Sequence, residues 1–186
     1  SPDYGDAGDV VSMADGYPLL VATEESLAAL NDEALAAAAE AGLKRLTVLG
    51  RASDGHADDL SAFVGRAAAA GVAVEVTGWR DEADMASRVR RVAVPVIAHR
   101  HVSASGSLAS WIGWGRRPLA VRNRYVDEMA ALRPGTVSTV DEAGLADAIA
   151  FARATGDSTW HGIHPVPFGR TDAARAYLEW WGALTA

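Results

Sequence analysis

Short apolar runs alternate with amphipathic segments along most of this chain. The apolar runs are rich in Val, Leu and Ala, and their length favours strands that are buried on both faces of a parallel sheet. The predicted strands cover residues 18–22, 45–50, 72–77, 92–98, 118–121 and 136–140. The fourth strand is the weakest of them, because Pro95 cannot donate a hydrogen bond to the ladder.

The segments between the apolar runs carry helix signals. Asn31 opens an alanine-rich segment that stops at Gly42, and Gly71 and Gly115 terminate two others, as glycine does at a helix C-terminus. The predicted helices over residues 81–91 and 172–184 are amphipathic, and the tryptophans within helices are assigned to packing. After the first, the predicted helices cover residues 58–70, 81–91, 107–114, 125–132, 142–154 and 172–184.

Strand and helix alternate six times with short connections, which requires crossover connections and therefore parallel strands. The sequence thus predicts one doubly wound α/β domain over residues 17–186, with a mostly parallel six-stranded sheet and helices on both faces. Residues 1–16 are rich in Gly, Asp and Ser and show no sustained period, so they are predicted to be a linker.

Composition removes several classes of function. The net charge of −7 argues against wholesale binding of nucleic acid or anionic lipid. The chain has no cysteine, which excludes disulfides, thiolate metal sites and cysteine nucleophiles. No histidine lies in a zinc-binding pattern, so no metal is expected. Neither a signal peptide nor an apolar run long enough to span a bilayer is visible, and a cytoplasmic location is expected.

Charge is distributed unevenly along the chain. Eight of the 17 basic residues, and none of the 24 acidic ones, lie between Arg88 and Arg124. Such an electropositive region on an acidic protein is typical of a localised anion site. Its middle, residues 99–108 (HRHVSASGSL), is a polar turn between an apolar run and a predicted helix. We therefore expect a pocket for a small phosphorylated ligand at this turn.

The chemistry of the turn fits that expectation. Ser105, Gly106 and Ser107 immediately precede the helix, where backbone N–H groups and the helix dipole favour an anion. Gly106 has no Cβ and lets a phosphate approach the main chain. Arg116 and Arg117, together with Arg100, could then neutralise a diphosphate. The alternative for the serines is an ordinary N-cap, which stabilises a helix by about 1 kcal/mol.

Other candidate ligand residues lie at predicted carboxyl ends of strands, where α/β sheets bind ligands. Arg51 follows the second strand. Trp79 follows Gly78 after the third strand, where its ring could stack on a base or simply fill the rim or the core. His99 and His101 alternate, so one can approach the ligand while the other packs inward, and a structural role remains open for both.

Several common motifs are absent from the sequence. There is no G-x-x-x-x-G-K for a P-loop, no G-x-G-x-x-G after the first strand, and no G-x-S-x-G for a serine hydrolase. An ordinary dinucleotide fold and a serine hydrolase are therefore disfavoured.

From about Leu46 onward, over roughly three quarters of its length, the chain resembles the C-terminal donor-binding domain of retaining, family-four-like GT-B glycosyltransferases. Four segments carry the resemblance: residues 46–51 (LTVLGR), 74–79 (VEVTGW), 99–108 (HRHVSASGSL) and 115–119 (GRRPL). The resemblance implies a Rossmann-like fold that forms one half of a GT-B pair. Its substrate would be a nucleotide diphosphate-sugar, and no bound cofactor would be needed.

The resemblance also implies roles and partners. The Ser105–Ser107 turn would hold the sugar-diphosphate end, and Trp79 would lie near the base. Within the polar turn, His99 and Arg100 are the candidates for a catalytic role. An N-terminal acceptor-binding domain of the same parent protein would complete the enzyme and could attach it peripherally to a membrane. The glutamate usual on the helix after the loop is Ser110 or Trp111 here. That keeps open a non-catalytic nucleotide-binding or regulatory module on the same scaffold.

Overall fold

Strands and helices alternate through the described part of the chain. The computed structural model describes residues 19–20, 32–49, 57–98, 105–163, 166–167 and 169–185. The strands are β1 (Leu19–Leu20), β2 (Arg45–Val48), β3 (Ala73–Val76), β4 (Pro95–Ile97), β5 (Leu119–Val121) and β6 (Ser138–Val140). The helices are α1 (Asp32–Glu40), α2 (Ala57–Ala69), α3 (Glu82–Arg91), α4 (Gly106–Gly113), α5 (Arg124–Leu132), α6 (Leu145–Ala154) and α7 (Arg170–Thr185).

The strands pair in parallel, in the order β3-β2-β1-β4-β5-β6. β2 and β3 form one pair, and β4, β5 and β6 form a group of three. The two-residue strand β1 joins them, with Leu19 opposite Thr47 on one side and opposite Pro95 on the other. The predicted α/β class with parallel strands is therefore confirmed. In place of one continuous six-stranded sheet, the described structure has a pair of strands and a group of three strands, which the two-residue β1 connects.

Helices cover both faces of the sheet, and each face has its own apolar layer. Ala38 of α1, Phe63 of α2 and Ile149 of α6 belong to one layer. Val89 of α3 and Trp111 of α4 belong to the other, with part of α5. Strand residues alternate between the two layers because successive side chains of a strand point to opposite faces.

The strands are shorter than the apolar runs predicted. The fourth run extends over residues 92–98, but β4 begins only at Pro95. Proline has no N–H to donate, so the first position of a strand accommodates it best. The predicted helix over residues 142–154 divides into a 3₁₀ turn, Glu142–Gly144, and α6. Within the described residues, no helix is both long and apolar enough to cross a membrane.

The strand order indicates which edge of the sheet is the candidate place for a ligand. The chain runs outward from β1 to β3 and then crosses to β4, which lies on the other side of β1. In parallel α/β sheets, ligands bind outside the carboxyl ends of the strands where the order reverses in this way. Helix α4 is the helix that follows β4, so its N-terminus lies at this edge.

Candidate anion-binding site

Helix α4 begins with a side-chain cap. Ser105 has an extended backbone, with φ −130° and ψ 105°, and its Oγ accepts a hydrogen bond from the backbone N–H of Leu108 at 3.0 Å. This is the N-cap geometry that serine commonly adopts. The Ser105 hydroxyl thus has a structural use, and its proton remains available to another acceptor.

The next two residues provide donors that the helix does not use. The first amides of any helix have no acceptor within that helix. Gly106 is exposed, and a Cβ built on it would meet nothing within 4 Å. Ser107 is only 3% exposed, and its Oγ has no hydrogen-bond partner among the described residues. The N-terminus of α4 therefore combines an approachable main chain with a buried hydroxyl that lacks a described partner.

The electrostatics of this helix start favour an anion. The first turn of α4 contains no acidic residue. The aligned peptide dipoles place roughly half a positive charge at a helix N-terminus. A phosphate at Gly106 would therefore meet amide donors and a favourable dipole, with no carboxylate of the same turn opposing it.

Arg116 lies at the other end of α4 and is fully buried. Its Nη1 donates to the carbonyl of Val89 at 2.6 Å, and its Nη2 donates to the Oγ1 of Thr159 at 2.9 Å and to the carbonyl of Ala93 at 3.4 Å. Its Nε donates to the carbonyl of Thr159 at 3.2 Å, and its guanidinium carbon lies 4.3 Å from the centre of the Trp160 ring. The guanidinium group is therefore committed to holding helix α3 and the 3₁₀ turn Gly156–Thr159 together.

This position corrects the expectation that Arg116 lies beside the Ser105–Ser107 turn. Residue 116 follows the end of α4 and precedes β5, whereas the turn precedes α4. A helix of eight residues is about 12 Å long, which separates the two positions. Burial lowers the pKa of Arg116 to about 9, so the group still carries its charge at neutral pH.

Arg117 also lies before β5 and away from the turn. Its backbone N–H donates to the carbonyl of Thr159 at 2.7 Å, and its Nε donates to the carbonyl of Gly135 at 2.6 Å. The structure therefore separates both members of the Arg116–Arg117 pair from the residues that they were expected to assist. The uneven distribution of charge along the sequence pointed to Arg116 and Arg117, but it did not predict on which side of the molecule they lie.

Trp79 is on the rim of the carboxyl edge. It follows β3 and is 79% exposed, so the alternative that it fills the core does not hold. The preceding Gly78 has a φ of 68°, a left-handed conformation that glycine adopts without strain. The exposed ring leaves a flat aromatic surface open at the end of the outermost strand.

Two residues after β5 also lie at the carboxyl edge. Asn123 caps α5, with its Oδ1 accepting from the N–H of Val126 at 2.9 Å. Arg122 donates to Asp127 through its Nε at 3.1 Å. The structure therefore assigns the polar side chains at this strand end to capping and to a surface ion pair.

Four predicted site residues, Arg51, His99, Arg100 and His101, lie outside the described residues. Conversely, sequence reasoning missed Thr159 and His161, which are both buried. Thr159 receives two donors of Arg116, and the Nε2 of His161 lies 2.8 Å from the carbonyl of Ile112. Both residues contact segments far away in sequence, and no local pattern signals such contacts.

The comparisons with known proteins leave this geometry to be interpreted by itself. No family model matches the chain, and no curated protein matches it either.

Ser105 and Ser107 offer a test of the local structure, because alanine should have opposite effects at the two positions. Ser105→Ala removes a cap and should lower the free energy of unfolding by about 1 kcal/mol. Ser107→Ala removes a buried hydroxyl without a described partner and should raise it by about 1 kcal/mol. Urea denaturation of both variants measures the difference. A loss of stability in Ser107→Ala would show that its hydroxyl has a hydrogen-bond partner.

Proposed function

We propose that this chain is the donor-binding domain of a GT-B glycosyltransferase, which binds a nucleotide diphosphate-sugar on a doubly wound, Rossmann-like sheet. The observation that carries the proposal is the start of α4. Gly106 is open, the first turn holds no acid, and the buried Ser107 hydroxyl has no described partner. This helix start follows β4, next to the reversal of strand order where such sheets bind ligands.

The distance across the sheet supports a nucleotide rather than a free phosphate. The turn follows β4 and Trp79 follows β3, and these strands are three places apart in the sheet. At about 4.8 Å for each place, the separation along the sheet is roughly 14 Å. An extended nucleoside diphosphate spans a comparable distance, so its diphosphate at Gly106 and its base at Trp79 can be bound together. Base stacking on an exposed aromatic ring stabilises such complexes by about 1–3 kcal/mol.

In sugar transfer, the oxygen of the acceptor hydroxyl bonds to the anomeric carbon as the bond from that carbon to the diphosphate oxygen breaks, and the hydroxyl proton passes to the departing diphosphate. Negative charge then develops on the departing diphosphate. The amides of Gly106 and Ser107 would stabilise it, because preorganised N–H donors aimed at developing charge lower the barrier. His99 and Arg100 remain the proposed residues at the reacting end, and an acceptor-binding domain of the same parent protein would supply the acceptor.

A second candidate function is a nucleotide-binding or regulatory module without transfer activity. The placement of Arg116 and Arg117 favours it, because the two cations expected at the diphosphate lie beyond the other end of α4. Amides alone bind a diphosphate but provide less stabilisation for a leaving group than amides with cations. A radiolabelled-sugar transfer assay on the intact parent protein separates the candidates, and robust turnover would eliminate the second one.

Nucleotide binding itself can be tested with two glycines of one helix. We expect calorimetric titration to detect UDP or GDP, or one of their sugars, binding to the wild-type chain. Gly106→Ala should weaken that affinity about tenfold, because a methyl group then occupies the approach of the phosphate. Gly106 and Gly113, the first and last residues of α4, are both exposed, with open space where a Cβ would stand. Alanine at either position should therefore keep or slightly raise the stability of the fold.

Gly113→Ala is the matched control, since Gly113 is the last residue of α4 and should leave the affinity unchanged. Equal weakening by the two substitutions would place the nucleotide elsewhere. If the wild-type chain binds none of these nucleotides at millimolar concentration, the proposed function fails.

A further inference from the structure

Helix α7 is the most exposed element of the described structure. Every residue over positions 173–184 is exposed. The hydrogen bonds at its N-terminal end join near neighbours: the Oδ2 of Asp172 accepts from the N–H of Gly169 at 2.9 Å, and the N–H of Ala173 donates to the carbonyl of Gly169. An isolated helix of about this length is only marginally stable in water. A surface that covers α7 would therefore stabilise it considerably.

One side of α7 is apolar and carries most of its large side chains. Tyr177, Trp181 and Leu184 follow helical spacing and share that side, whereas Arg175 and Glu179 lie on the other. The Tyr177 and Trp181 rings are stacked, with their centroids 6.4 Å apart and their planes inclined at 21°. The aromatic side chains thus already form an ordered surface that faces solvent.

The size of this surface matches what a dimer needs. The large side chains of α7 are each between 54% and 69% exposed, and they are Tyr177, Leu178, Trp180, Trp181 and Leu184. Full burial of an aromatic side chain removes about 150–250 Å² from water, so the exposed parts amount to roughly 600 Å² in one copy. Complete burial of these side chains in both copies would approach the roughly 1,200 Å² at which stable specific interfaces begin.

The order of small and large residues along α7 favours an antiparallel over a parallel pair of helices. Ala173 and Ala174 occupy the first half of the apolar side, and Trp180 and Trp181 occupy the second half, with Tyr177 between them. In an antiparallel pair the tryptophans of one helix lie over the alanines of the other. A parallel pair would set tryptophan against tryptophan and alanine against alanine, which leaves both steric crowding and a gap.

We propose that α7 pairs with α7 of a second copy of this chain, antiparallel about a two-fold axis near Tyr177. The contact is isologous, so the same side of the helix serves both copies and the assembly closes as a dimer. The large apolar side chains of α7 are exposed and belong to neither layer of the domain core, so pairing requires no rearrangement of the sheet.

The oligomeric state of the full chain is the first test. We expect sedimentation equilibrium to show a dimer at tens of micromolar protein. Trp181→Glu should raise the dimer dissociation constant at least about thirtyfold, because it replaces a central aromatic by a charge. Arg175→Glu, on the polar side, is the control and should leave the constant within about twofold. Circular dichroism of both variants verifies that the domain remains folded.

Crosslinking tests the antiparallel arrangement, and the absence of native cysteine makes it clean. Tyr177→Cys lies near the proposed axis and should form an intermolecular disulfide rapidly. Leu184→Cys should not, because the two copies of position 184 would be about 21 Å apart along the helices, far beyond the reach of a disulfide. A monomeric wild-type chain overturns the proposal, as does a dimer that Trp181→Glu leaves intact. Equal crosslinking at both positions shows a parallel pair and overturns the antiparallel arrangement.

Discussion

Replacing Arg116 by methionine is expected to lower the free energy of unfolding by about 3–5 kcal/mol. Methionine fills much of the same volume but donates no hydrogen bond. It would leave the carbonyls of Val89 and Ala93 without this donor, and it would remove both hydrogen bonds to Thr159. Each buried polar group that loses its partner costs about 1–3 kcal/mol. Urea or guanidinium denaturation measures the loss directly.

Two further substitutions test whether the lost hydrogen bonds cause this loss of stability. Arg116→Lys keeps a charge but not the planar fork, so it should lose roughly half as much stability. Arg124→Met removes an arginine whose side chain is 93% exposed and pairs with Glu128, and it should change stability by less than about 0.5 kcal/mol. A loss below about 1 kcal/mol in Arg116→Met would contradict the structural role assigned to this residue.

The same variant separates stability from binding. Arg116 lies beyond the far end of α4, so the folded fraction of Arg116→Met should bind nucleotide as the wild-type chain does. If the variant stays stable but loses affinity, Arg116 acts at the ligand after all. This is the outcome that its place in the basic region first suggested.

Local patterns predicted the positions of most helices and strands, because apolar periodicity and helix-terminating glycines act over neighbouring residues. Short apolar runs became strands, and Gly42, Gly71 and Gly115 take the left-handed conformation that follows a helix. The sequence did not predict the limits of β4, since the ladder begins only where Pro95 can be accommodated. The sequence likewise did not predict the strand order, because paired strands join residues that are distant along the chain.

The candidate site was predictable only in part. The amide-rich helix start follows from residue types alone, and the structure places it at the expected edge. Ser105 and Ser107 look equivalent in sequence, yet one caps the helix and the other is buried without a described partner. That difference depends on the backbone geometry of the first helical turn, which residue types alone do not predict.

Burial was the quantity that sequence reasoning judged least well. Trp111 is fully buried as expected, whereas Trp180 and Trp181, also assigned to packing, are more than half exposed. All three lie on segments that were predicted to be helices. The pattern predicts which side of a helix is apolar, but it does not tell whether the domain itself covers that side.

Gly106→Asp is expected to weaken nucleotide binding at least about a hundredfold while the fold becomes slightly more stable. A carboxylate in the first turn interacts favourably with the helix dipole, which adds about 0.3–1 kcal/mol to stability. The same carboxylate would occupy the place proposed for the phosphate. Two unit charges 4 Å apart near a protein surface repel by about 4 kcal/mol, and each 1.4 kcal/mol corresponds to about tenfold in affinity. Calorimetric titration and thermal denaturation of one sample measure both effects.

Gly113→Asp is the control that shares the helix, the residue type and the added charge. It places the carboxylate at the last residue of α4, where the dipole opposes it, so the stability change there should be less favourable than at Gly106. Its distance from the turn is about 10 Å along the helix, and salt at physiological strength screens charges over a similar length. The affinity for nucleotide should therefore fall by no more than about threefold. If the wild-type chain binds nucleotide and Gly106→Asp binds it equally well, the ligand lies elsewhere on the sheet, and the start of α4 is a capped helix end without a ligand.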